Sequence, residues 1–274
     1  MLAPALFLCV LLSLLSCSLQ AKLRLLISRK PAALFLAPLL LSGGFCATAS
    51  YYDSLSWQLT LLVLVYTALP TACVYAQTKF DRIRRAVWLD LAVILMLWLP
   101  LELSAGASLV PKPVQGILHA TAYGVAVTLG VVLFLLARDW EGMGYELPRS
   151  ILDLRNVLAG YVISALLLIP LGLWVGFLAH PHSPRVLLRT AAFRILLIFF
   201  GTAFPEEILF RALIQNWFSQ RLRQQWKAVA IGGLIFGASH LNNAPGPLPN
   251  WRYMAVATIA GVIFGTVFLR STSV

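Results

Sequence analysis

Two adjacent carboxylates, Glu206 and Glu207, stand in the stretch Phe204-Pro205-Glu206-Glu207-Ile208-Leu209-Phe210-Arg211, with aromatic and aliphatic residues on both sides. A carboxylate in an apolar medium is costly unless it is paired, neutralised or wetted, so acids placed this way are candidates for function. Arg211 follows Glu207 by four residues, a helical spacing that sets up an ion pair, whereas Glu206 points about 100° away around the same helix. Pro205 suits the first turn of a helix and cannot continue an existing ladder, so the segment is expected either to break near Pro205 or to start afresh there.

The second feature is Phe236-Gly237-Ala238-Ser239-His240 in the next apolar segment. Between the two lies the polar turn Arg221 to Gln225. Counted from its centre at Arg223, Glu206 and His240 are each seventeen residues away. Two antiparallel helices therefore bring the acid and the imidazole level, about 25 Å from the turn at about 1.5 Å per residue. Gly233 and Gly237 leave a small-residue face for close helix approach. Phe236 lies one turn before His240, where it can wall the ring. A carboxylate facing an imidazole across a partly wet cavity can deprotonate a water and hold it against a carbonyl, which is the outline of hydrolysis. Zinc is the competing use of Glu and His, but no HExxH occurs, and His180-Pro181-His182 reads as a solvated connecting loop. The expectation is no cofactor, with a divalent ion at Glu206, Glu207 and His240 left open. His119 stands alone in its segment and reads as a packing contact.

The elements that must position these residues follow from composition. Of 274 residues 60% are apolar, and only 21 are basic and 10 acidic. That excludes an ordinary water-soluble globule, in which roughly a quarter of residues are charged. Apolar blocks long enough to cross about 30 Å of hydrocarbon as helices predict an all-α, polytopic transmembrane bundle of eight to nine spans. The segments are 2–19, 32–50, 57–77, 86–103, 114–137, 155–179, 188–219, 227–241 and 253–270. If each crosses once, alternate loops hold fifteen of the 21 basic residues, so the amino terminus is expected outside and the carboxyl terminus in the cytoplasm, across the cytoplasmic membrane. The net charge of +11 is then an orientation signal in short loops and not a nucleic-acid surface; the expected partners are the lipid bilayer and a peptide or protein substrate.

The block Met1 to Leu19 has its positive charges after the apolar run, so it reads as a retained span and not a cleaved signal. The four cysteines, Cys9, Cys17, Cys46 and Cys73, lack metal-ligand spacing and read as packing residues. Trp57, Trp88, Trp140, Trp226 and Trp251 fall near span ends, where indoles prefer the headgroup region. The acids other than Glu206 and Glu207, including Asp90 and Asp153, are expected on solvated surfaces. The polar interruption from Arg138 to Arg155 is the natural boundary, giving an amino-terminal bundle over 1–150 and a second domain over 151–274.

The two motifs together resemble the CAAX-protease and bacteriocin-processing family of intramembrane proteases, whose signatures EExxxR and FxxxH read here as Glu206-Glu207-x-x-x-Arg211 and Phe236-x-x-x-His240. The resemblance covers residues 150 to 274. It implies an intramembrane endopeptidase in which Glu206 is the general base on water, Glu207 and Arg211 support it, and His240 binds or polarises that water. Phe236 and Asn243 are expected to line the substrate cavity. Family members commonly carry a further helix with a histidine and an asparagine four residues on; Asn242 and Asn243 do not reproduce that spacing, and the sequence ends at Val274 before such a helix, which reads as a truncation. Two other readings stay open from sequence: a non-catalytic scaffold or immunity protein of the same fold, and a transporter using Glu206 as a proton site.

Overall fold

The computed structural model describes residues 2–80, 86–148, 150–178, 191, 194–243 and 247–271, and every regular element among them is helical. They form two compact units, Met1–Glu141 and Gly142–Val274. Asp81, the His180-Pro181-His182 loop and the start of the 188–219 segment lie outside the described residues.

In the first unit, α1 (Leu2–Ser13) and α2 (Cys17–Arg29) precede a short 3₁₀ turn at Pro31–Phe35. There follow α3 (Leu36–Tyr51), α4 (Trp57–Phe80), α5 (Trp88–Glu102) and α6 (Gln115–Val131), the last continued by a π-helical turn over Val132–Ala137. Helix α6 is the spine: α1, α3 and α5 all pack on it, and Val125 to Val131 is buried without interruption. An apolar cavity of about 360 Å³ lies among α3 to α6, lined by Phe45, Leu62, Tyr66, Leu101 and Leu118 among others.

Three expectations need correction here. The block 2–19 is not one straight span, because α1 and α2 meet at 90°. Gln20 Nε2 donates to the Leu14 carbonyl across the corner, satisfying an acceptor left over at the end of α1. Asp90 is not solvated: it is fully buried, and Arg138, itself 4% exposed, donates to it through Nε at 3.0 Å and NH2 at 3.2 Å. The same carboxylate accepts from the Val87 N–H at the start of α5. Trp140 is not an interfacial anchor either, being buried with its ring 4.6 Å from Phe134; Trp57, Trp88, Trp226 and Trp251 are exposed.

The second unit contains α7 (Ile151–Trp174), the long helix α8, α9 (Gln225–Ala238) and α10 (Trp251–Arg270). Helix α7 starts with a capping box, in which Asp153 N–H donates to Ser150 Oγ while Asp153 Oδ2 accepts from the Ser150 N–H. Asp153 is therefore a buried cap and not a loop residue. Helix α8 comprises four consecutive pieces, Phe199–Ala203, Phe204–Glu207, Ile208–Gln215 and Asn216–Arg221, the first and third π-helical. Pro205 does not break it. The Phe204 N–H reaches back five residues to the Phe199 carbonyl, and this wider turn just before the proline gives its ring the room that an α-helical ladder denies it.

Helices α9 and α10 form the tightest pair of the unit. At Gly233 an added Cβ would meet the Val262 backbone nitrogen at 3.0 Å, and at Gly237 the Met254 carbonyl at 2.7 Å, so the two backbones touch where these side chains are missing. Helix α7 packs on α10, with Asn156 Nδ2 donating to the Arg270 carbonyl. Gln215 ties α8 to α10 by donating from Nε2 to the Gly265 carbonyl at 2.9 Å.

Among the described residues five helices are long and apolar enough to cross a membrane: Pro31–Tyr51, Trp57–Lys79, Lys112–Ala137, Ile151–Trp174 and Trp251–Arg270, with the bent pair α1 and α2 as a sixth if it counts as one span. The chain is a multi-pass membrane protein. The nine crossings expected are not all matched, since α5 has 15 residues and α9 has 14, about 21 to 23 Å of helix against about 30 Å of hydrocarbon.

Candidate active site

The site lies where α8, α9 and the first turn of α10 converge. Helices α8 and α9 are joined by the turn Leu222–Gln224, and their register is fixed by an edge-to-face contact between Phe210 and Phe236, with ring centroids 4.9 Å apart. Phe210 is one turn after Glu206 on α8; Phe236 is one turn before His240 on α9. Because the helices run antiparallel, stepping back one turn on α8 and forward one turn on α9 reaches the same depth. Counted from that contact, Glu206 and His240 are expected at similar depth.

His240 lies two residues past the end of α9, in the turn that follows, and is 6% exposed. Its Nδ1 is 2.8 Å from the Phe236 carbonyl oxygen. A carbonyl only accepts, so Nδ1 carries the proton and Nε2 of the neutral ring presents a lone pair. Phe236 also packs on the imidazole, with centroids 4.7 Å apart, and Tyr253 of α10 packs against it at 4.6 Å.

Arg211 is fully buried. Its Nε lies 3.4 Å from Glu207 Oε2, and its guanidinium sits over the Phe236 ring at 4.8 Å and the Phe264 ring at 5.9 Å. Its three nitrogens make no hydrogen bond among the described residues. The pairing is thus held by charge and by the two aromatic faces. Removing the Glu207 carboxylate would leave the buried cation with the two rings and the weaker pull of Glu206. Glu206 and Glu207 are both half-buried, and the charge of Glu206 is felt at Arg211 and at Tyr253.

Asn243 is exposed and takes part through its backbone: its N–H donates to the His240 carbonyl, and its own carbonyl accepts from Asn250 Nδ2. Asn250 in turn caps α10 by accepting from the Tyr253 N–H at 3.1 Å. One asparagine thereby fixes both the loop after His240 and the first turn of the facing helix. Among the described residues no group of three His, Cys, Asp or Glu side chains is placed to hold a metal ion.

Residues 188–274 match the family model of the Rce1-like type II CAAX prenyl endopeptidases. Over this third of the chain the protein is similar to the CAAX protease family. The match contains Glu206, Glu207, Arg211, Phe236 and His240, and leaves the first unit outside it. No curated protein and no solved structure matches the chain.

Sequence reasoning passed over Asn250 and Tyr253. The pattern Asn250-x-x-Tyr253 ahead of an apolar run carries the signal of an N-cap, but nothing in spacing says that the aromatic of that first turn faces the histidine of the preceding helix.

Proposed function

We propose that the protein is a CAAX-protease-like endopeptidase that hydrolyses a membrane-associated peptide with a water activated by Glu206, without a metal. The observation that carries the reading is the contact of Phe210 with Phe236, four residues from Glu206 on one helix and four from His240 on the other, which supports a common depth for the acid and the imidazole.

In this mechanism the water is held by two acceptors. One of its hydrogens points to the Glu206 carboxylate and the other to His240 Nε2, which turns an oxygen lone pair toward the scissile carbonyl. Attack forms the carbon–oxygen bond, Glu206 takes the proton, and the carbonyl pair moves onto its oxygen. Collapse breaks the carbon–nitrogen bond, and the proton on Glu206 passes to the departing amine. Glu207 is held against Arg211 and keeps the helix that presents Glu206 in register. Phe236 and the loop at Asn243 are proposed to border the bound peptide.

The substrate class proposed is a peptide ending in a prenylated CAAX sequence, on the strength of the family match. The nine helical segments are proposed to cross or enter the bilayer so that the basic turn at Arg221 to Lys227 is cytoplasmic, the amino terminus is outside and the carboxyl terminus is cytoplasmic. His240 and Asn243 then lie at the opposite, outer end of the hairpin.

The test is turnover of an internally quenched, farnesylated CAAX peptide by the full chain in proteoliposomes. Glu206→Gln and His240→Gln are each expected to lower the rate by about 10²- to 10⁴-fold while the protein still inserts and folds. Turnover unchanged by both substitutions, or none in the wild type, ends the reading.

A further inference from the structure

The mechanism above uses two acceptors, the Glu206 carboxylate and His240 Nε2, and both face the attacking water. Neither can stabilise the negative charge that develops on the scissile carbonyl oxygen, which needs a donor. Arg211 carries five N–H donors but is fully buried beneath the Phe236 and Phe264 rings, so substrate does not reach it.

Tyr253 meets the requirement. It is in the first turn of α10, packed against two rings, with centroids 4.5 Å from Phe177 and 4.6 Å from His240. Its backbone is held by the Asn250 cap, and the ring is half-buried, open on one side as a substrate contact must be. Its hydroxyl makes no hydrogen bond among the described residues, and it is near enough to Glu206 for that carboxylate's charge to act on it. A ring held by two aromatic contacts and carrying an uncommitted O–H next to the imidazole is a preorganised donor.

We infer that Tyr253 is a third catalytic residue, whose hydroxyl donates a hydrogen bond to the oxyanion of the tetrahedral intermediate formed at Glu206 and His240. This rests on the peptidase reading. The phenol keeps its proton throughout: the electron pair that moves onto the carbonyl oxygen during attack is stabilised by the O–H and returns when the carbon–nitrogen bond breaks.

The experiment uses Tyr253→Phe, which keeps both ring contacts and removes only the hydroxyl, in the full chain in proteoliposomes with the farnesylated CAAX peptide as probe. Tyr253→Phe is expected to lower kcat about 10²-fold, the loss seen when one oxyanion donor is removed, with KM changed less than about two-fold. Thermal unfolding in detergent is expected to match the wild type, which separates lost chemistry from lost packing. Wild-type kcat in Tyr253→Phe alongside a dead Glu206→Gln overturns the role of Tyr253 and leaves the peptidase reading intact. A drop in KM affinity alone also overturns it. If wild type and Glu206→Gln are equally inactive, the peptidase reading falls and Tyr253 loses its role with it.

Discussion

Phe210 and Phe236 meet edge to face at 4.9 Å, and Phe236 is also the surface on which both the Arg211 guanidinium and the His240 ring rest. One side chain therefore couples the helix register, the buried cation and the imidazole. Phe236→Ala removes all three contacts and is expected to cost about 3 kcal/mol or more, in the range for truncating a buried aromatic, and to abolish peptide turnover. Phe236→Leu fills most of the space and is expected to recover much of the stability but not the wall for His240. Unfolding in detergent and peptide hydrolysis, measured side by side, check both halves.

Gly237 has no room for a side chain: a Cβ there would run into the Thr258 hydroxyl and meet the Met254 carbonyl at 2.7 Å. Only a shift of α10 away from α9 relieves this, and α10 carries Tyr253. Gly237→Ala is expected to destabilise the second unit by about 1 to 3 kcal/mol through overpacking, and to lower turnover further than the stability loss accounts for. Gly43→Ala in α3, where nothing lies within 4 Å of the added carbon, is the control and is expected to behave as wild type. Thermal unfolding midpoints of the two variants decide the matter.

The legible parts of this molecule are those set by short-range counting. Apolar block lengths give helices, and equal counting from the turn near Arg223 gives the meeting of Phe210 with Phe236. The Glu207 to Arg211 pair follows from a spacing of four. What counting cannot reach is partnership across the sequence. Asp90 reads as a solvated acid because its partner, Arg138, is 48 residues away on a different element. Ser150 and Asp153 form a cap whose pattern is present in sequence, yet a single acid beside a polar loop reads first as solvated. Pro205 reads as a breaker because a π-helical turn leaves no signature in residue type. Tyr253 reads as one more aromatic at a span end, and only the fold turns it toward His240.

The proposed orientation makes a separable prediction, because Asn243 and Arg223 sit at opposite ends of α9 and both are exposed. In a cysteine-free background, Asn243→Cys is expected to react with a membrane-impermeant maleimide on intact cells. Arg223→Cys is expected to react only after the membrane is opened. The reverse pattern inverts the topology and places the site on the cytoplasmic side; labelling of neither in intact cells would put the loop after His240 within the bilayer.

In the first unit, the Asp90 to Arg138 pair tests what a buried charge contributes in a bundle of this composition. Both groups are almost wholly out of solvent, and Arg138 binds both carboxylate oxygens in a fork. Removing one partner leaves the other buried without its opposite charge in the fork, so Asp90→Leu and Arg138→Met are each expected to cost about 3 to 5 kcal/mol. Removing both together replaces two desolvated ions with apolar side chains, and the double variant is expected to be much nearer the wild type than the sum of the single losses. The Val87 N–H that caps onto Asp90 is lost in either background containing Asp90→Leu, so a residual deficit of about 1 kcal/mol is expected in the double variant. A double-mutant cycle on unfolding in detergent measures the coupling directly, and strictly additive losses would show that the two charges do not depend on each other.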